Sequence, residues 1–199
     1  MPEHTPDREA ALAKLRRQFE RFVALPDAAW DEIRRPWTLR PFERGERLTR
    51  EGQTERRFSI VVEGTQRLFF TTEGGHEHTV AFVYPPDYSG VPDSFFLQVP
   101  SAFGLEALSD GWLLSIEREP FARLMDRHRE LDRWAWRLLA HAMVGRFQRE
   151  REILTMPAQA RYRRLLRESP HVLQLAALRH VASYLGMTPE TLSRVRAAS

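Results

Sequence analysis

From Trp37 to about residue 117 the chain is a series of short apolar runs cut apart by glycine. Phe58-Ser-Ile-Val-Val, Gln66-Arg-Leu-Phe-Phe and Thr79-Val-Ala-Phe-Val-Tyr are rich in aromatic and β-branched residues, and Gly45, Gly52, Gly64 and Gly74-Gly75 punctuate the region. Regular turns between short strands of this composition predict an antiparallel sandwich or roll. The pattern turns irregular from Pro85-Pro86-Asp87 to Pro92, resumes as a strand near Ser94–Val99, and closes with Gly111-Trp-Leu-Leu-Ser-Ile.

Helical periodicity flanks this region on both sides. Leu12, Leu15, Phe19, Phe22 and Val23 form one stripe within residues 7–25, and Ala28 to Arg34 reads as a second short helix between Pro26 and Pro36. A long helix is predicted from near Pro120, with a break around His128-Arg129, to about Thr155. In it Leu131, Trp134, Leu138, Ala142 and Gly145 recur every three or four residues, like the seam of a coiled coil. Trp134, Trp136, His141 and Phe147 read as dimer core rather than as a ligand pocket. Pro157 ends the helix, a linking helix runs from Ala158 to about Arg167, and a final helical pair lies between Leu175 and the C-terminus.

The 199 residues suffice for one domain or two small ones, and 42% hydrophobic with 29% charged residues is a globular balance. No run is apolar enough for a membrane span, and the first residues lack the order of a signal peptide. With no cysteine the chain forms no disulfide, thiolate zinc site or iron–sulfur cluster, which suits a cytoplasmic setting. Charge is informative once divided. Residues 146–199 carry ten arginines against four glutamates, whereas residues 1–145 carry 20 basic and 23 acidic side chains. A basic end on a near-neutral body suggests a polyanionic partner, with a solvated helix face as the alternative.

The last twenty-odd residues carry the sharpest signal: Leu178-Arg-His-Val-Ala-Ser-Tyr-Leu-Gly-Met-Thr-Pro-Glu-Thr-Leu-Ser-Arg-Val-Arg. Val181, Ala182 and Leu185 face inward on one short helix, and Gly186 suits the positive φ at its end. Thr188 is a good N-cap, Pro189 fits the first helical position, and Leu192 and Val195 face inward on the second helix. This order predicts a helix-turn-helix, which places the start of its second helix in the DNA major groove. Thr188, Glu190, Thr191 and Arg194 are then the candidates for DNA contact. Arg194 suits guanine O6 and N7, and Glu190 suits cytosine N4. Arg179, His180, Ser183, Ser193 and Arg196 are the candidates for phosphates, which orient without reading sequence.

The whole order resembles the CRP/FNR family, the cyclic-AMP receptor-like bacterial transcription regulators. Phe42-Glu-Arg-Gly-Glu-Arg-Leu, Arg50-Glu-Gly and Phe58-Ser-Ile-Val-Val-Glu-Gly are similar to its opening strands, and Glu106-Ala-Leu-Ser-Asp with Leu113-Leu-Ser-Ile to its closing ones. Thr188-Pro-Glu-Thr-Leu-Ser-Arg is similar to its recognition helix, with Pro189 in place of the first DNA-reading arginine. The resemblance implies an α+β fold: N-terminal helices and a double-stranded β-helix, jelly-roll-like sensor domain over 1–119, a long dimerisation helix over 120–156, and a helix-turn-helix domain over 157–199. It implies a homodimer on a palindromic double-stranded DNA operator, with RNA polymerase as a further partner and no membrane. The hairpin wing usual after the recognition helix is expected to be missing.

The nucleotide cassette departs from the family. Its glycine is matched by Gly90, but Val91 stands for the glutamate, Ser101 for the arginine and Ala102 for the hydroxyl residue. No arginine occurs between Arg67 and Arg118, so the expectation is no response to cyclic AMP. Losing such a charge-assisted phosphate contact costs about 2–5 kcal/mol. A cupin-like metal enzyme is an alternative raised by His76-Glu-His78, but no carboxylate follows at the required spacing. A second alternative is a non-DNA interaction module with a degenerate roll. No catalytic residues, metal site or cofactor are expected, and the chain reads as a regulator rather than an enzyme.

Overall fold

A computed structural model of the chain describes residues 2 and 4–198. Helix α1 (Arg8–Glu20) starts where the Asp7 side chain accepts from Glu9 N at 3.1 Å, and it buries Ala11, Leu12, Leu15 and Phe19. Helix α2 (Asp27–Ile33) adds Trp30 and Ile33 to the same core. The roll follows as β1 (Thr38–Phe42), β2 (Arg47–Thr49), β3 (Arg57–Glu63), β4 (Gln66–Thr71), β5 (Glu77–Val83), β6 (Tyr88–Ser89), helix α3 (Pro92–Leu97), β7 (Gly104–Ala107) and β8 (Gly111–Glu117). Its strands form two antiparallel four-stranded sheets, ordered β1-β8-β3-β6 and β2-β7-β4-β5. Gly64, with φ at +93°, turns β3 into β4 so tightly that a Cβ there would lie 2.7 Å from Asp110 O.

Residues 94–99, expected as a strand, mostly belong to α3. Pro92 supplies the first helical φ, and Phe95 and Phe96 turn their rings onto Phe58 and Phe121, which an extended segment would send to opposite faces. Gln98 ends the helix in the left-handed region, with φ at 55°.

The long helical segment breaks at His128, as expected, into α4 (Arg118–Arg127) and α5 (Arg129–Thr155). Phe58 is the hub where this segment meets the roll: its ring stacks on Phe121 at 5.2 Å and meets Trp134 edge-on at 5.3 Å. Leu131, Trp134 and Ala135 are therefore buried in the chain's own core, and Leu138 packs partly against it. The first half of the stripe read as an interhelical seam is thus occupied within one chain. A different stripe is open: Trp136 is 72% exposed, Met143 48%, Phe147 61% and Leu154 76%. With Ala140 the positions up to Phe147 follow the alternating four- and three-residue steps of a heptad, and Leu154 lies one heptad further on, past Glu150 at the intervening position.

After α5 come α6 (Ala158–Glu168), α7 (Val172–Leu175), α8 (Leu178–Tyr184) and α9 (Pro189–Ala197). A second core gathers Tyr162, Leu165, Val172, Val181, Ala182, Leu185 and Leu192, and includes Leu108 and the partly buried Phe82 and Tyr84 from the roll. Among the described residues no helix is long and apolar enough to cross a membrane.

Candidate nucleic-acid interface

The turn between α8 and α9 is made by local chemistry. Gly186 has φ at +64°; its N–H donates to Ser183 O and the Met187 N–H to Ala182 O, both at 3.0 Å, so the last carbonyls of α8 are satisfied. Thr188 Oγ1 accepts from Thr191 N at 3.2 Å, and Pro189 opens α9. Leu192 is fully buried and Val195 packs partly against the same cluster.

Burying that face leaves the other one open. Thr188, Glu190, Ser193, Arg194 and Arg196 are exposed and Thr191 is half-buried, so these residues share one accessible polar surface. Arg194 Nη2 donates to Thr191 Oγ1 at 3.2 Å, which partly orders the guanidinium. The Glu190 carboxyl is held below its ordinary value by hydrogen bonds from Thr188 and its own backbone, with a smaller contribution from Arg194, and stays an acceptor at neutral pH.

The remaining candidates divide. Arg179 is exposed at the start of α8, but His180 is buried, and Ser183 Oγ accepts from Thr79 N of β5 at 3.0 Å. Both face the roll because α8 lies against β5, so in this conformation they are withdrawn from the surface expected to meet phosphates. Helical spacing alone marks the inward side of α8 as apolar; it carries no sign that a second inward face meets a strand far away in sequence.

Several C-terminal arginines also prove to be internal fastenings. Arg161 donates through Nε to Leu185 O at 2.8 Å and through Nη1 to Met156 O at 2.5 Å, tying the end of α5 to the end of α8. Arg149 donates to Tyr184 O with its guanidinium 3.9 Å from that ring's centroid, and Arg164 pairs with Glu152 and Glu168. Composition does not separate these arginines from the exposed ones of the basic segment, since their partners are helix ends and carboxylates brought close only by folding.

The roll holds a cavity of about 150 Å3 lined by Thr49, Glu55, Ser89 and Gly90, with Arg40, Arg56 and Arg57 among the residues around it. Glu55 enters it: its carboxylate accepts from Thr49 Oγ1 at 2.5 Å and from the backbone N–H groups of Val91, Arg57 and Arg56. Burial nevertheless pushes the Glu55 carboxyl above its ordinary value. Arg40 pairs with Glu46 and Arg57 with Glu117. These arginines precede the arginine-free interval between Arg67 and Arg118 in sequence, and only folding brings them to the cavity. Ser101 is buried and bonds to the backbone of Phe103, while Ala102 is exposed. His78 stacks on Phe70 at 5.3 Å, and His76 lies in the preceding turn. Among the described residues no group of three metal-binding side chains occurs.

Residues 39–128 match the cyclic nucleotide-binding domain family. The chain is similar in fold to FixK2 from Bradyrhizobium japonicum, with 21% identity over 81% of this chain and 83% of that one and a TM-score of 0.70. The catabolite activator protein of Thermus thermophilus shows 25% identity over 88% and 84%, with a TM-score of 0.57. A chain from Eubacterium rectale assigned to the CRP/FNR family shows 16% identity over 87% and 83%, with a TM-score of 0.69. No curated protein matches the sequence. The match places a cyclic nucleotide-binding domain at residues 39–128, and the likeness to these structures shows a shared fold that continues into the C-terminal helices.

Proposed function

We propose that the protein is a homodimeric, sequence-specific DNA-binding transcription regulator whose roll does not respond to cyclic AMP. The observation that carries this reading is α9: its apolar side is buried, its polar side with Glu190, Arg194 and Arg196 is open, and a glycine turn and a threonine cap set its start. Residues 1–119 would serve as the sensor-like body, 120–156 as the dimer-forming helix and 157–199 as the DNA-binding part. The exposed stripe Trp136, Met143, Phe147 and Leu154 supports pairing of two α5 helices about a two-fold axis. Two copies would then read half-sites about 34 Å apart.

Selection of binding sequences from a random DNA library with the purified chain tests this directly; enrichment of a palindrome is the expected result, and no enrichment rejects the reading. Arg194→Ala should weaken the selected site by about 1–3 kcal/mol and relax preference at one guanine. Arg196→Ala should weaken all sequences alike and flatten the salt dependence. Identical behaviour of the two variants on every probe would refute this division of roles.

The small cavity, already entered by Glu55, supports the absence of a cyclic AMP response. Small-ligand pockets usually span about 300–1,000 Å3, whereas this one is about 150 Å3 and contains the Glu55 carboxylate. An incoming phosphate would meet a carboxylate already holding the Val91 N–H. Calorimetry with cyclic AMP and cyclic GMP at micromolar concentration should show no binding, and a micromolar dissociation constant would overturn the assignment.

A further inference from the structure

The junction between α8 and the roll contains a group of charges that the DNA-binding reading does not use. Arg67 on β4 is buried inside the β2-β7-β4-β5 sheet. Its Nε and Nη2 reach Glu106 Oε2 of β7 at 2.6 and 2.5 Å, and Nη2 also pairs with Glu77 of β5. Arg47 of β2 takes the other oxygen of Glu77 at 2.8 Å. Both carboxylates are thereby engaged, while Arg67 Nη1 has no hydrogen-bond partner. Over this network α8 sets His180, 8% exposed, and next to it Ser183, whose Oγ accepts the Thr79 N–H of the edge strand β5.

We propose that His180 is a proton-sensitive positioning residue: its neutral imidazole seats α8, and with it the reading helix α9, on the roll, and its protonation releases them. This rests on the reading of α9 given above only for its consequence on DNA; the seating itself is a property of the chain.

The charges around the ring fix the direction. Arg67 from β4 and Arg179 from α8 itself oppose a proton on His180, while Glu77 from β5 and Glu106 from β7 favour one but are neutralised by Arg67 and Arg47. Burial adds the largest penalty, and together these bring His180 down to about 4 from its ordinary 6.5. Burial alone would raise the Glu77 carboxyl, but hydrogen bonds from Arg67 and Arg47 take it below its usual value, so it remains charged in mild acid. A base whose value is lowered in the seated state stabilises seating fully above 6.5, and that stabilisation is lost as pH falls from there to about 4. Between pH 7.5 and pH 5 the seating equilibrium should weaken about 30-fold.

The Thr79 amide reports seating without any DNA, because its hydrogen bond crosses the junction. Hydrogen exchange on the full-length protein, corrected for the intrinsic pH dependence of exchange, should show Thr79 protection falling about 30-fold from pH 7.5 to pH 5. Amides of the β3–β8 pair should keep theirs and so certify the fold. His180→Gln, neutral at both pH values, should make Thr79 protection independent of pH; His180→Asn replaces it if the glutamine variant loses the β3–β8 amides. Unchanged wild-type protection at pH 5 overturns the proposal, and so does a neutral variant that keeps the wild-type pH dependence. Failure to find a DNA site would leave this exchange result untouched, so the two readings fail separately.

Discussion

Phe147→Arg should turn a dimeric protein into a largely monomeric one. Phe147 is 61% exposed in the single chain and lies at the middle of the open stripe on α5, so its substitution disturbs no intrachain core. A two-fold axis places the change on both sides of one interface, and losing a central aromatic anchor while bringing two like charges together costs about 2–3 kcal/mol per copy. The combined ~4–6 kcal/mol corresponds to roughly a 10³–10⁴-fold weaker dimer. Affinity for a palindromic site should fall with it, because each monomer then reads a half-site alone. Light scattering and DNA titration on the same samples check both effects. A variant that stays dimeric at micromolar concentration places the interface elsewhere. Leu138, by contrast, packs partly on the chain's own core, so its replacement would mix folding stability with assembly.

Glu106→Ala should be among the most destabilising single changes outside the aromatic core. It strips Arg67 of two hydrogen bonds while the guanidinium remains buried, and leaving such a charge short of its partner costs about 3–5 kcal/mol. Arg67→Met removes the charge instead and keeps a stem of similar length over the Phe69 ring, 4.4 Å from the guanidinium carbon in the native chain. Its cost should be smaller, because the carboxylates left behind are partly exposed and can be hydrated where the buried guanidinium cannot, and Glu77 keeps Arg47. Urea unfolding of both variants separates the cases. Equal losses would mean that packing, not an uncompensated charge, dominates at this position. The same pair of variants bears on the roll–α8 junction, since Arg67 is one of the charges opposing a proton on His180.

The basic C-terminal segment looked uniform, yet Arg149, Arg161 and Arg164 satisfy carbonyls and carboxylates within the fold while Arg179, Arg194 and Arg196 remain exposed. A guanidinium offers five donors and reaches far, so composition cannot say whether its partner is a phosphate or a helix end of its own chain. Helix α9 was legible because its start depends on neighbours in sequence: Gly186, Thr188 and Pro189 act through φ, one side-chain oxygen and one missing N–H.

Elements whose causes are local can be read from the amino-acid order alone. Glycine-separated β-branched runs became the strands of the roll, the α1 stripe became a buried face, the long helix broke at His128, and the α8–α9 turn formed around Gly186. Steric limits on φ and short-range hydrogen bonds decide these, and both act within a few residues. Packing between distant segments sets which of two apolar stripes on α5 lies on the roll, why the segment around Phe95 and Phe96 is a helix, and where His180 and Ser183 face. Those outcomes depend on partners distant in the chain, on Phe58 for α3 and α5 and on Thr79 for α8. Burial is shared out only when the elements meet, and the same amphipathic pattern is compatible with more than one partner until they do.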